Sequence, residues 1–241
     1  MPDLRAVASN RFNTLRSIIS SPSWARAWFW RRYGAPEGCF HVASNTMADR
    51  YPAVFLELRD RLGALESCRV LSFGCSTGEE VFALRHYLPH AEIVGIDINP
   101  SSITQAKQTQ QKLGNDPNIA FHAASSCVVE PLQSFDAILA MTVFCSGRLR
   151  LEQPASCAGL LSFAAFDAEI GRFAERLKPD GLLIVGNANF RVDDTAFAKQ
   201  LPVIKRFDDS VLPGLPRPIY GPDESLLVGA TDPGAMYRRA S

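Results

Sequence analysis

The stretch Arg69-Val-Leu-Ser-Phe-Gly74-Cys75-Ser76-Thr77-Gly78-Glu79-Glu80 combines a short apolar run, a turn built from small residues and the opening of a helix. Small residues let a ligand approach the backbone closely, and the first amides of the following helix are free to bind a carboxylate or phosphate. Downstream of it, short β-branched or apolar runs alternate with amphipathic segments, the pattern of βαβ units around a parallel sheet. Strands are expected over Arg69 to Phe73, Glu92 to Asp97, Ile119 to His122, Phe135 to Ala140 and Leu182 to Gly186, with helices over Gly78 to Leu88, Pro100 to Leu113 and Ala165 to Leu177. Lys178-Pro179-Asp180-Gly181 reads as a turn. Two further strand-like runs, Val203 to Phe207 and Leu226 to Ala230, are expected to close the sheet, and the proline-rich stretch between them to form a loop over the site.

About 20 residues beyond the turn, Ile93-Val-Gly-Ile-Asp97 is a second strand that ends in an acid, placed to accept hydrogen bonds from both hydroxyls of an adenosine ribose. A dinucleotide-binding fold offers the same frame, but it needs glycines at positions 74, 76 and 79, and here position 76 is Ser and position 79 is Glu. The carboxylates of Glu79 and Glu80 repel a pyrophosphate and suit a ligand carrying an ammonium and a sulfonium, as S-adenosylmethionine (SAM) does. The same two acids also suit the positive end of a helix dipole, so their position alone leaves both roles open.

Gly74-Cys75-Ser76-Thr77-Gly78-Glu79-Glu80 resembles the first motif of class I SAM-dependent methyltransferases, and most closely the form found in the chemotaxis-receptor methyltransferases. Phe135 to Ala140 and Leu177 to Gly186 resemble the fourth- and fifth-strand motifs, so the similarity covers roughly residues 69 to 190. The resemblance implies an α/β, Rossmann-like, mostly parallel sheet with helices on both faces. It also implies that the Gly74 to Gly78 turn, Cys75, Ser76 and Thr77 included, lies against the methionine part of SAM and that Glu79 takes its ammonium. Asp97 and Ile98 would hold the ribose and one adenine face, Ala124, Ser125 and Ser126 the adenine edge, and Met141 and Thr142 the methyl-transfer side. Two features depart from the pattern: serine replaces the usual acid at the adenine edge, and Met141-Thr142-Val143-Phe144-Cys145 lacks the Asn and aromatic pair of the receptor-esterifying enzymes. No N-P-P-[YF] motif follows the fourth strand, which speaks against nucleic acids and amides as acceptors.

Hydrophobic residues make up 46% of the 241 positions and charged residues 21%, ordinary for a folded chain with one large core. Lys plus Arg and Asp plus Glu number 25 each, so no overall field favours a nucleic acid or an anionic membrane. Six scattered cysteines without a C-x-x-C pair argue against zinc and for a reducing, cytoplasmic setting, and no apolar run approaches a transmembrane span. Residues 1–44 read as a helical arm, with helices at Leu4 to Ser20 and Ser23 to Tyr33, before a SAM-binding domain over 45–241 that opens with a helix from Asn45 to Leu62. Between Met1 and Tyr33 six arginines face a single acid, Asp3, and all three tryptophans, Trp24, Trp28 and Trp30, fall in one short helix. Nothing before Arg69 is required by a cofactor site, so residues 1 to about 40 are expected to select the acceptor, whether a small molecule or a protein side chain. Methyl transfer to a ready nucleophile needs no base; for a hydroxyl acceptor the candidates are His41, His122 and Asp136.

Overall fold

A computed structural model describes residues 22–33, 36, 38–41, 47, 49–208, 211–212 and 217–241. Among the described residues, the helices α1 (Pro22–Tyr33) and α2 (Pro52–Leu62) precede the alternating core of β1 (Arg69–Phe73), α3 (Glu79–Tyr87), β2 (Glu92–Asp97), α4 (Pro100–Lys112) and β3 (Ile119–Ala123). The chain continues through β4 (Phe135–Met141), α5 (Gly147–Glu152), α6 (Phe163–Arg176), β5 (Leu177–Gly186), β6 (Val203–Arg206) and β7 (Gly234–Arg238). The seven strands lie in the order β3-β2-β1-β4-β5-β7-β6. β1 to β5 are parallel, while β7 runs antiparallel between β5 and β6. This is the mostly parallel, Rossmann-like sheet that the first motif implies.

Alternation along the central strands sends successive side chains to two separate cores, as a pleat with period two requires. In β4, Phe135, Ile138 and Ala140 join α6 and its Phe166, Ile170 and Phe173, whereas Ala137, Leu139 and Met141 join α2, α3 and α4 through Phe55, Leu84 and Ile103. Helices therefore cover both faces. Burying each large side chain of α6 contributes about 1.5–3 kcal/mol. That helix starts where the Ser162 hydroxyl accepts from the Ala165 amide at 3.3 Å. The parallel order places the carboxyl ends of β1, β2, β3 and β4 along one edge, where a doubly wound sheet opens a crevice.

Three readings differ from the sequence expectations. The closing strand is Gly234–Arg238, not Leu226 to Ala230, where Leu226 makes only an isolated bridge to Tyr220 and Val228 is 91% exposed. The Lys178-Pro179-Asp180-Gly181 turn is taken into β5 as a bulge: Leu177 pairs with Phe135 and Leu182 with Ala137, and Asp180 bends the chain at φ +61°. The second helix is described from Pro52 rather than Asn45, because Pro52 at its first turn sets the start. The helix expected over Leu4 to Ser20 lies outside the described residues. α1 packs beside α4, with Arg26 Nε donating to Ser101 Oγ at 3.3 Å, and leaves Trp28 and Phe29 exposed.

Candidate functional site

A cleft enclosing ~860 Å³ including its open mouth lies at the carboxyl ends of β1, β2, β3 and β4. Its floor is the small-residue turn. The Gly74 and Cys75 amides both donate to the Ile96 carbonyl, at 2.7 and 3.0 Å, which ties the turn to β2. Gly74 has φ +76°, and a Cβ there would sit 2.4 Å from Val143 Cγ2, so the residue is required both by backbone conformation and by space. Gly74→Ala is expected to lose about 1–3 kcal/mol of stability in urea unfolding. Gly114→Ala, also at positive φ but with open space around it, serves as the control for strain alone, and equal losses would show that Val143 simply yields.

Asp97 closes the turn from the other side. Its Oδ2 accepts from the Ser76 amide and its Oδ1 from the Asn99 amide, both at 2.8 Å. Burial pushes its carboxyl above the ordinary value, while those two amides pull the other way. Ser76 itself sits at φ +51°, and its Oγ is buried without a hydrogen-bond partner among the described residues. An orphaned hydroxyl beside an ordered carboxylate and a glycine-lined floor fits a polar ligand in the turn.

The expected residues divide. Gly74, Cys75, Ser76, Asp97, Ile98, Ala124, Ser125, Met141 and Thr142 all line the cleft. Thr77, Gly78, Glu79 and Ser126 do not. Gly78, at φ +94°, starts α3 and packs so tightly that a Cβ would meet Phe82 at 2.9 Å and Phe121 at 3.0 Å. The Thr77 hydroxyl donates to Glu79 at 2.7 Å, holding that carboxylate at the helix start. Ser126 Oγ turns away to the buried Glu169 at 2.9 Å.

Of the two adjacent acids, Glu80 is the one that faces the cleft. It lines the cleft, and its Oε1 accepts from the Ser72 hydroxyl at 2.7 Å. One face is open to the cleft, but protein surrounds the rest, and burial raises its carboxyl from 4.5 to about 7 against the opposing effects of Ser72 and Arg50. Neighbouring helical positions point about 100° apart, so which of two adjacent acids faces inward follows from how α3 is seated on the sheet.

The residues before β1 also supply a wall: Gly38, Phe40, His41, Met47, Arg50, Tyr51 and Phe55 line the cleft. The expectation that the cofactor requires nothing ahead of Arg69 left these residues to the acceptor side; they line the same cleft as Gly74 and Asp97. A Cβ on Gly38 would meet Ser125 Cβ at 3.2 Å, Phe40 packs edge-on to Phe144 at 4.8 Å, and His41 Nδ1 lies 2.8 Å from the Cys145 carbonyl. Thr142, at φ +61°, holds its Oγ1 2.6 Å from the Tyr51 hydroxyl and accepts from Asn187 Nδ2 at 3.3 Å. The other two base candidates lie elsewhere: Asp136 is bound by the Arg69 amide and Lys178 Nζ, both at 2.7 Å, and His122 is half-exposed 3.6 Å from Glu130.

Residues 65–210 match the family model described as "Methyltransferase domain". The chain is 31% identical over 136 residues to "Probable thiol methyltransferase 2" of Arabidopsis thaliana, which covers 56% of this chain and 54% of that protein. It is 29% identical over 188 residues to the release factor glutamine methyltransferase of Bradyrhizobium diazoefficiens, covering 73% of this chain and 62% of the relative. The chain thus spans little more than half the length of these relatives. A solved structure of a Haemonchus contortus phosphoethanolamine N-methyltransferase 2, bound to phosphomonomethylethanolamine and S-adenosylhomocysteine, is 18% identical at a TM-score of 0.41, covering 55% of this chain and 27% of that one. With the family model spanning more than half of its residues, the chain belongs to the methyltransferase-domain family.

Proposed function

We propose that this protein binds SAM in the cleft and transfers its methyl group to a small molecule or a protein side chain, with oxygen as the favoured acceptor atom. The observation that carries this reading is the convergence of the Gly74-Cys75-Ser76 turn, Asp97, Ala124-Ser125 and Met141-Thr142 on one crevice. In it, the turn accommodates the methionine chain, Glu80 accepts from the ammonium, Asp97 accepts from the ribose hydroxyls, and Ile98, Ala124 and Ser125 flank the adenine. Thr77, Gly78 and Glu79 keep the turn and the start of α3 in shape. Ser126 acts through its bond to Glu169.

The sulfonium of SAM is an activated donor, so this chain's part is to hold donor and acceptor in line and to exclude water. The thiol and glutamine named for the two relatives are acceptors of those proteins. Here the absence of an N-P-P-[YF] sequence after β4 and the presence of an imidazole at that end support oxygen instead. The domain division follows the same reading, with 45–241 as the SAM-binding domain and 1–44 as an arm whose last described residues complete the cleft. The unpaired cysteines support a reducing, cytoplasmic compartment, and no described helix is long and apolar enough to cross a membrane.

SAM and S-adenosylhomocysteine are expected to bind with micromolar affinity, measured by calorimetry, and methyl-labelled SAM to mark a product in cell extract. Binding of neither ligand overturns the reading. Binding without a labelled product favours a regulatory module that senses SAM without turnover.

A further inference from the structure

We infer that His41 is the general base of this cleft and that the acceptor therefore presents a protonated hydroxyl; the inference rests on the SAM reading above. His41 Nδ1 lies 2.8 Å from the Cys145 carbonyl. A carbonyl oxygen only accepts, so Nδ1 carries the hydrogen, and in the neutral ring Nε2 keeps its lone pair. No partner for Nε2 is found among the described residues, and the residue lines the cleft. The tautomer that a base requires is thus set by a backbone atom.

The ring lies where the cleft passes from Asp97 to the end of β4. The strap from Gly38 to His41 starts over Ser125, on the side where β2 and β3 end, and finishes on Cys145, just past β4. Asp97 and the 74–76 turn occupy the first half; Met141, Thr142 and Val143 line the second. Phe40, wedged edge-on against Phe144, fixes the strap where His41 leaves it. His41 is therefore held against the loop that follows β4, in the same cleft as Met141 and Thr142 and facing Asp97.

The step balances without a co-reactant. The acceptor O–H gives its proton to His41 Nε2 as an oxygen lone pair forms the O–CH3 bond. The S–CH3 bond breaks and its electron pair stays on sulfur, which becomes a neutral thioether. The imidazolium then returns the proton to water. Burial lowers the basicity of His41, but pairing of its protonated ring with the Cys145 sulfur, 3.6 Å from Nδ1 and itself drawn below the usual thiol value by the imidazole, more than offsets this, and the net position is above the usual imidazole value. Arg217 opposes this, and Asp97 is the facing acid. Methyl transfer should consequently increase as pH rises through that value.

The test uses the full chain loaded with S-adenosylhomocysteine or SAM, a panel of probe acceptors (catechol, the more acidic 4-nitrocatechol, simple phenols and aliphatic alcohols), and two variants. His41→Asn retains a donor for the Cys145 carbonyl but has no basic nitrogen; His41→Gln is the second variant should the first fold poorly. Long-range ¹⁵N–¹H spectra of the parent should show His41 as the Nδ1–H tautomer at pH 8, and both variants should bind S-adenosylhomocysteine within about twofold of the parent. Transfer to catechol should fall by about 100-fold or more, and transfer to 4-nitrocatechol, already ionised, by far less. The Nε2–H tautomer, equal losses for the two catechols, a tenfold loss of S-adenosylhomocysteine affinity, or a parent that methylates no hydroxyl in the panel would each overturn the assignment. Failure of the parent to bind S-adenosylhomocysteine would instead overturn the SAM reading beneath it.

Discussion

Glu80→Gln is expected to weaken SAM and S-adenosylhomocysteine by about 100-fold, or about 3 kcal/mol, while adenosine binds as before. The substitution keeps the shape and a polar contact for Ser72, so the loss reports the missing charge opposite the ammonium. A pH series sharpens the test. The carboxyl of the empty protein titrates at about 7, and an ammonium pairs with the carboxylate form. Affinity should therefore decline about tenfold for each pH unit below that point and level off above it, with the variant flat throughout. Isothermal calorimetry across pH 5.5 to about 8.5 reads both effects.

The same residue makes an opposite prediction for stability. The folded-state value of about 7 lies above the unfolded value of 4.5, so between those two pH values the folded chain keeps a proton that the unfolded chain has lost. The contribution of this group to stability is fully present below 4.5, declines across the window and stays at its low level above 7. Glu80→Gln should thus stabilise the empty protein at pH 8 by up to about 3 kcal/mol and have little effect at pH 4, seen in urea unfolding. A gain in stability with a loss of ligand is what a binding residue held at a cost to the fold produces. Equal loss for SAM and adenosine would assign Glu80 to the fold alone.

Asp97→Ala is expected to weaken SAM, S-adenosylhomocysteine and adenosine alike by about 1–3 kcal/mol, roughly 5- to 150-fold, because ribose hydroxyls lose their acceptor. Part of this loss comes through the turn, since the Ser76 and Asn99 amides lose the carboxylate that orders them. Comparing ligands divides the two contributions. A loss confined to SAM and S-adenosylhomocysteine traces to the displaced turn beneath the methionine chain, whereas a common loss traces to the ribose. Unchanged affinity for all three would remove Asp97 from the site.

The sequence by itself determined the frame. Apolar runs of strand length and small-residue turns are local signals, and β1 and β2 have the expected limits, Arg69–Phe73 and Glu92–Asp97. The first turn and Asp97 were legible for the same reason: their place at the carboxyl end of a strand follows from local chain geometry, independent of distant contacts. Strand β7 was not, because Gly234-Ala-Met-Tyr-Arg238 becomes a strand by inserting between β5 and β6, a pairing across distant parts of the chain. Tertiary structure alone turned Glu80 rather than Glu79 toward the cleft, since this depends on the rotation of α3 about its axis, set by packing of Val81 and Leu84. It alone brought Gly38, Phe40 and His41 to the cleft, because His41 meets Cys145 across 104 residues of chain. No spacing or periodicity in the sequence encodes that distance; the strap is placed by where its aromatic side chain finds a buried partner, and the imidazole's proton by a carbonyl that only the fold supplies.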